Sequence, residues 1–128
     1  MLNKNLLKMI FAVALFFIVK LHGQENFSIV SENEQASLLI DKDAKVVHIA
    51  TDILSKDVYA ITNKKIYKSD KGSKFSIIAG TIGQSKWIDR LIGKQIIDVS
   101  DIKGKWETYQ IQLVENPLSG IEKAIVII

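Results

Sequence analysis

No cysteine occurs anywhere in the 128 residues. That absence excludes a disulfide framework, a thiolate nucleophile, a cysteine-ligated metal and lipid attachment to an N-terminal cysteine. Proline is almost missing as well: Pro117 is the only one, so most turns must be built from Gly, Asn, Asp and Ser. No Gly-x-Gly-x-x-Gly, no P-loop Lys-Ser/Thr pair and no Gly-x-Ser-x-Gly elbow is present, which leaves dinucleotide binding, Walker-type phosphate binding and serine-hydrolase chemistry without a motif. There is no internal repeat and no low-complexity segment. Long apolar runs are few, and the one at the N-terminus, Met9 to Val19, falls short of the roughly 20 residues a spanning helix needs.

That short run has a different pattern around it. Lys4 and Lys8 precede it, and a more polar stretch after it ends in Gly23. This is the order of a secretory signal peptide, with residues 1–23 as leader and Gln24 as the new N-terminus. The expected location is outside the cytoplasm, secreted or periplasmic in a bacterium, with no membrane attachment after cleavage. The leader also carries the charge. The whole chain has 17 basic against 14 acidic residues and a pI near 9.1, but Lys4, Lys8 and Lys20 leave with the leader, and 14 basic residues then face 14 acidic ones. A near-neutral mature chain has no electrostatic footing for nucleic acid.

Residues 24–128 make one domain of ordinary size, large enough for a core and too small for a catalytic barrel, which needs roughly 200 residues. "FSIV" (27–30) and "ASLLID" (36–41) read as short strands. Val46, Val47, Ala50, Ile53 and Leu54 then recur at helical spacing, predicting a helix over 44–56 capped by Asp41 or Asp43. "DVYAITNKKIYK" reads as a hairpin turning at residues 63–65, and "KFSIIAG" as a strand buried on both faces. A second helix is predicted over 84–93, with Trp87, Ile88, Leu91 and Ile92 on one side and Lys86, Asp89 and Arg90 on the other. "KQIIDVSDIKG" is loop-like with a short β-run. In "GKWETYQIQLVENP", Tyr109, Ile111 and Leu113 alternate with Thr108, Gln110 and Gln112, the pattern of a half-buried strand. The predicted fold class is α+β, a single small domain with a mostly antiparallel or mixed sheet and two amphipathic helices packed on it. The chain stops inside the apolar run Ala124 to Ile128, as a piece of a longer protein would.

Candidate sites are few. The turn in "IIAGTIGQSKWIDRLIGK" joins a strand to a helix N-terminus, where free amides can cradle an anion. Its glycine spacing fits no phosphate loop, so a tight turn with Thr81 or Ser85 as helix cap is the favoured reading. His48 is the only histidine after the leader and falls on the polar side of its helix with Lys45 and Asp52. A lone histidine without cysteine makes no metal site, and no cofactor is implied. Carboxylates are plentiful, but no spacing pairs two of them, Asp89 with Glu107 for example, as a glycosidase requires. Trp106, Trp87 and Tyr109 offer aromatic faces on which a sugar ring can stack, although packing between sheet and helix is the favoured reading of them.

Taken together, "DVYAIT", "IIAGTIGQSKWIDRL" and "DIKGKWETYQIQLVENPLSGIEKAIVII" resemble the N-terminal region of glycoside hydrolase family 115. These are secreted α-glucuronidases that remove glucuronic acid or its 4-O-methyl ether from xylan side chains. The resemblance runs from about Phe27 to Ile128. It implies a small non-catalytic α/β domain packed against a catalytic barrel, which in that family follows a Gly-Ser-Asp-Lys-Arg-Gly-Thr run expected just past Ile128. The family's catalytic carboxylates belong to the barrel, so the resemblance assigns no catalytic residue here. The implied partner is glucuronoxylan or a xylo-oligosaccharide, met through the parent enzyme. Two rivals remain on sequence grounds: a secreted polysaccharide-binding module, and a structural or interaction domain without chemistry.

Overall fold

The structure is a computed structural model and describes residues 27–128; the leader expected over 1–23 lies outside the described residues. The elements in chain order are β1 (Ser37–Leu39), α1 (Lys45–Thr62), β2 (Tyr67–Lys68), β3 (Phe75–Ala79), α2 (Lys86–Gly93), β4 (Ile111–Leu118) and β5 (Ile121–Ile127). The five strands form one mixed sheet in the order β2-β1-β3-β5-β4. Three pairings are parallel, β1 with β2, β1 with β3 and β3 with β5, while β4 and β5 form an antiparallel hairpin. The domain is therefore α+β, and of the two sheets anticipated the mixed one is found. Parallel neighbours need a crossover, and here α1 and α2 supply it.

The two helices lie on opposite faces. Leu38 and Ile77 are paired across β1 and β3, and they cluster with Val58 of α1 and with Ile66. One residue further along the same strands, Leu39 and Ile78 point the other way and cluster with Trp87, Ile88 and Leu91 of α2 and with Val126. Strand residues alternate between faces, so the run Ile77 to Ala79 is apolar throughout because both of its faces are covered. The expectation of a doubly buried strand there holds, and all three residues are buried.

The predicted hairpin over 57–68 is not formed. Residues 57–62 continue α1, which ends at Asn63 in the left-handed region (φ 55°), where its N–H donates to the Tyr59 carbonyl at 2.8 Å. Val, Tyr, Ile and Thr gave the segment the composition of a strand, but Thr51, Leu54 and Val58 fall on one helical face, and burying Val58 outweighs local propensity. Only Tyr67 and Lys68 pair as a strand. Phe27 to Val30 also forms no strand beyond one isolated bridge, Val30 to Gln35. The short β-run expected within 94–104 is a series of turns and bends. By contrast, the alternation in β4 is real, with Ile111 and Leu113 exposed and Gln112 and Val114 half-buried. β5 has a strand on each side, β3 and β4, both supplied by the chain itself.

Candidate functional site at the ends of the parallel strands

α1 leaves the C-terminal end of β1 and α2 leaves the C-terminal end of its neighbour β3, on opposite faces of the sheet. A crevice opens between such diverging connections, and in open α/β sheets it is the usual place for a ligand. Here it is bounded by Asp41 to Ala44 on one side and by Gly80 to Ser85, the "GTIGQS" turn, on the other.

The turn's polar groups are already engaged. Asp43 reaches across the crevice: Oδ2 accepts from the Thr81 N–H at 2.8 Å, and Oδ1 accepts from the Thr81 hydroxyl at 2.8 Å and from the Ala44 N–H at 2.7 Å. The Gly83 N–H donates to Asp89 Oδ1 at 2.8 Å, and the Ile88 N–H donates to Ser85 Oγ at 3.5 Å. Two carboxylates of the chain thus take the place that an anion would take at a phosphate-binding turn, and Ser85 caps α2. Asp43 does not cap α1 as expected, since Ala44 holds that position without a side-chain cap. Its carboxylate is spent on Thr81 instead. A second contact ties the same two connections, Lys86 to Asp41 at 3.2 Å.

Each glycine of the turn has its own reason. Gly83 adopts φ 79°, a conformation that costs an L side chain about 1 kcal/mol, with open space around it. Gly80 has no room: a Cβ built there would overlap Ser85 Cβ and Oγ and stand 2.9 Å from Asp43 Oδ2. Gly80 also donates its N–H to the Ile127 carbonyl at 3.0 Å, extending the β3–β5 ladder into the turn.

Beside this latch lies an open apolar cleft of about 210 Å³ between α1 and the ends of β3 and β5, floored by Ala79 and Ile127 and walled by Val47, Ala50 and Leu54. It holds no charged lining residue, so it accepts apolar groups and offers no acid or base. Among the described residues, each carboxyl whose ionisation is clearly displaced is displaced downward. Asp41 is lowered first by the Lys42 N–H and then by Lys86, Asp52 by its hydrogen bond to Lys68, and Asp98 by the Ser100 N–H. A glycosidic general acid needs the opposite displacement. Among the described residues no group of three or more His, Asp or Glu side chains could hold a metal ion.

The three aromatics named from sequence are not brought together as one platform. Trp106 and Tyr109 are exposed, at 87% and 74%, in the segment entering β4. Trp87 is only 8% exposed and packs in the core with Ile88 and Leu91, so its ring faces are closed to a sugar. Its Nε1 is buried with no acceptor among the described residues. Such an orphan donor costs about 1–3 kcal/mol, and the smaller ring of Trp87→Phe gives up buried contact of similar worth, so the variant is expected to stay within about 1 kcal/mol of wild type in a urea melt. His48 is half-buried on α1. Sequence reading placed Asp43 at the cap of α1 and missed its role in the latch. Its partner Thr81 lies 38 residues away, and no local pattern signals so distant a pairing.

Fold and site together define a small mixed α/β domain whose strand-end crevice is latched by its own side chains. No protein-family model matches the chain, and no curated protein does.

Proposed function

We propose that this chain is a non-catalytic N-terminal domain of a secreted glycoside hydrolase that removes glucuronic acid or its 4-O-methyl ether from xylan. The observation that carries this reading is where the resembling segments sit. "GTIGQSKWIDRL" supplies the latch turn and α2, and "TYQIQLVENPLSGIEKAIVII" supplies the β4–β5 hairpin, so the family-like residues are those that hold the layers together. The gene provides a direct test. Reading downstream of the Ile128 codon should find an open frame that encodes the Gly-Ser-Asp-Lys-Arg-Gly-Thr run and a barrel, whereas a stop codon at that point would remove the reading.

A second reading, a polysaccharide-binding module, draws on the exposure of Trp106 and Tyr109. Stacking on a sugar is worth roughly 0.5–1.5 kcal/mol per aromatic contact. If the module reading is right, retardation of the chain in xylan-containing gels should fall several-fold on Trp106→Ala while the melting temperature stays put. Equal mobility of wild type and variant in xylan gels and plain gels would discard it.

A further inference from the structure

The two edges of the sheet are unequal. β2 is two residues long, carries Lys68 and follows Lys64 and Lys65, features that blunt an edge against pairing. β4, at the other edge, is eight residues long, and from Ile111 to Val114 it carries no charge.

The backbone groups that β4 leaves open follow from its register. Gln110 and Ile128 exchange both hydrogen bonds, N–H to carbonyl in each direction at 3.0 Å. Antiparallel pairs alternate, so Gln112 and Val114 turn their backbone groups toward β5, while Ile111, Leu113 and Glu115 turn theirs outward. Among the described residues nothing covers those outward groups. The side chains of Ile111 and Leu113, 59% and 50% exposed, stand on the same stretch of strand. The open edge ends where Asn116 takes φ 48° and the register shifts between Glu115 and Leu118, ahead of the hairpin turn.

We infer that β4 is a self-pairing edge, on which a second copy of this chain adds its own β4 antiparallel about a two-fold axis through Leu113. The symmetry is self-consistent in three respects. A pairing centred on Leu113 sets Leu113 opposite Leu113, and Ile111 opposite Glu115 of the second copy, so outward-facing groups meet only outward-facing groups. Gln112 falls opposite Val114 of the second copy, and no like charges meet directly, a clash that would oppose pairing. An isologous contact of this kind closes at two copies. A contact five residues long buries less than about 1,200 Å², which places it among weak associations, with a Kd between about 1 μM and 1 mM. The inference depends on the β4 edge alone and is independent of the hydrolase reading.

Sedimentation velocity on the chain, purified as its host produces it, should show the mass rising from one copy to two across that concentration range. Amide hydrogen exchange locates the contact. At a total concentration ten times the Kd, exchange at Ile111, Leu113 and Glu115 should slow roughly fivefold by mass action, while Gln112 and Val114, already bonded to β5, should not change. Leu113→Lys should leave the fold intact, because the side chain is half-exposed, and should weaken association at least tenfold. If that variant fails to fold, the wild-type exchange pattern still decides. A monomer up to about 1 mM overturns the inference. So does a dimer in which the Leu113 amide exchanges at the monomer rate, or one abolished by Ile53→Lys on α1 and kept by Leu113→Lys.

Discussion

Replacing Gly80 with alanine is expected to lower the unfolding free energy by about 3 kcal/mol, at the upper end of what one added methyl group costs in a packed site. The new Cβ has nowhere to go. On one side are Ser85 Cβ and Oγ, anchored as the cap of α2, and on the other is Asp43 Oδ2, anchored by Thr81. Any shift that relieves the overlap must displace the α2 cap, break the bond from the Gly80 N–H to the Ile127 carbonyl, or push Asp43 off Thr81. For a domain of this size the melting temperature should fall by roughly 12–24 °C, at 4–8 °C for each kcal/mol. Gly83→Ala, three residues along, should cost only about 1 kcal/mol, since it meets strain without a clash. If the two variants melt together, the steric account of Gly80 fails.

The second large effect is expected at Asp43. Asp43→Ala removes a carboxylate that accepts three hydrogen bonds, from the Thr81 N–H, the Thr81 hydroxyl and the Ala44 N–H, and it leaves those donors at the mouth of the crevice. Hydrogen bonds to a charged acceptor contribute about 1.5–3 kcal/mol each when partly shielded, and water can replace some of them here, so the expected loss is about 2–3 kcal/mol. Asp70→Ala, an exposed carboxylate with no such bonds, should stay within about 0.5 kcal/mol of wild type. A double-mutant cycle of Asp43→Ala with Thr81→Val isolates the latch. It should return a coupling of about 1–2 kcal/mol, and a coupling near zero would mean that the two connections are held by something else.

Much of this architecture was legible from local pattern, and what was not had non-local causes. The run Ile77 to Ala79 announced a doubly covered strand, and the stripe of Trp87, Ile88 and Leu91 announced α2. The alternation of Tyr109, Ile111 and Leu113 with Thr108, Gln110 and Gln112 announced β4, which begins at Ile111 and turns Ile111 and Leu113 to the exposed side. The end of α1 was misread because Val58, Tyr59 and Ile61 are residues that strands favour. What makes them helical is the burial of Val58 against Leu38, Ile66 and Ile77, contacts made by three other segments. Asp43 was expected at the cap of the nearest helix and instead serves a turn 38 residues away. Trp87 packs in the core, as the favoured reading of the aromatics expected, whereas Trp106 and Tyr109 are exposed, a difference in burial that local pattern does not show.

The turn "GTIGQS" has the outline of an anion-binding loop with its polar groups already engaged. Its amides would suit an anion, but Asp43 and Asp89 fill that role from within the chain, and its glycines answer to space and to φ. The turn thus ties the ends of β1 and β3 together through Asp43 and Thr81.

The most direct measurement is release of free glucuronic acid, or its 4-O-methyl ether, from glucuronoxylan, run in parallel on this chain and on the product of the whole open frame that contains it. The account predicts release by the whole product and none above background by the chain alone. Turnover by the chain alone, or a whole product that leaves glucuronoxylan untouched, would contradict it.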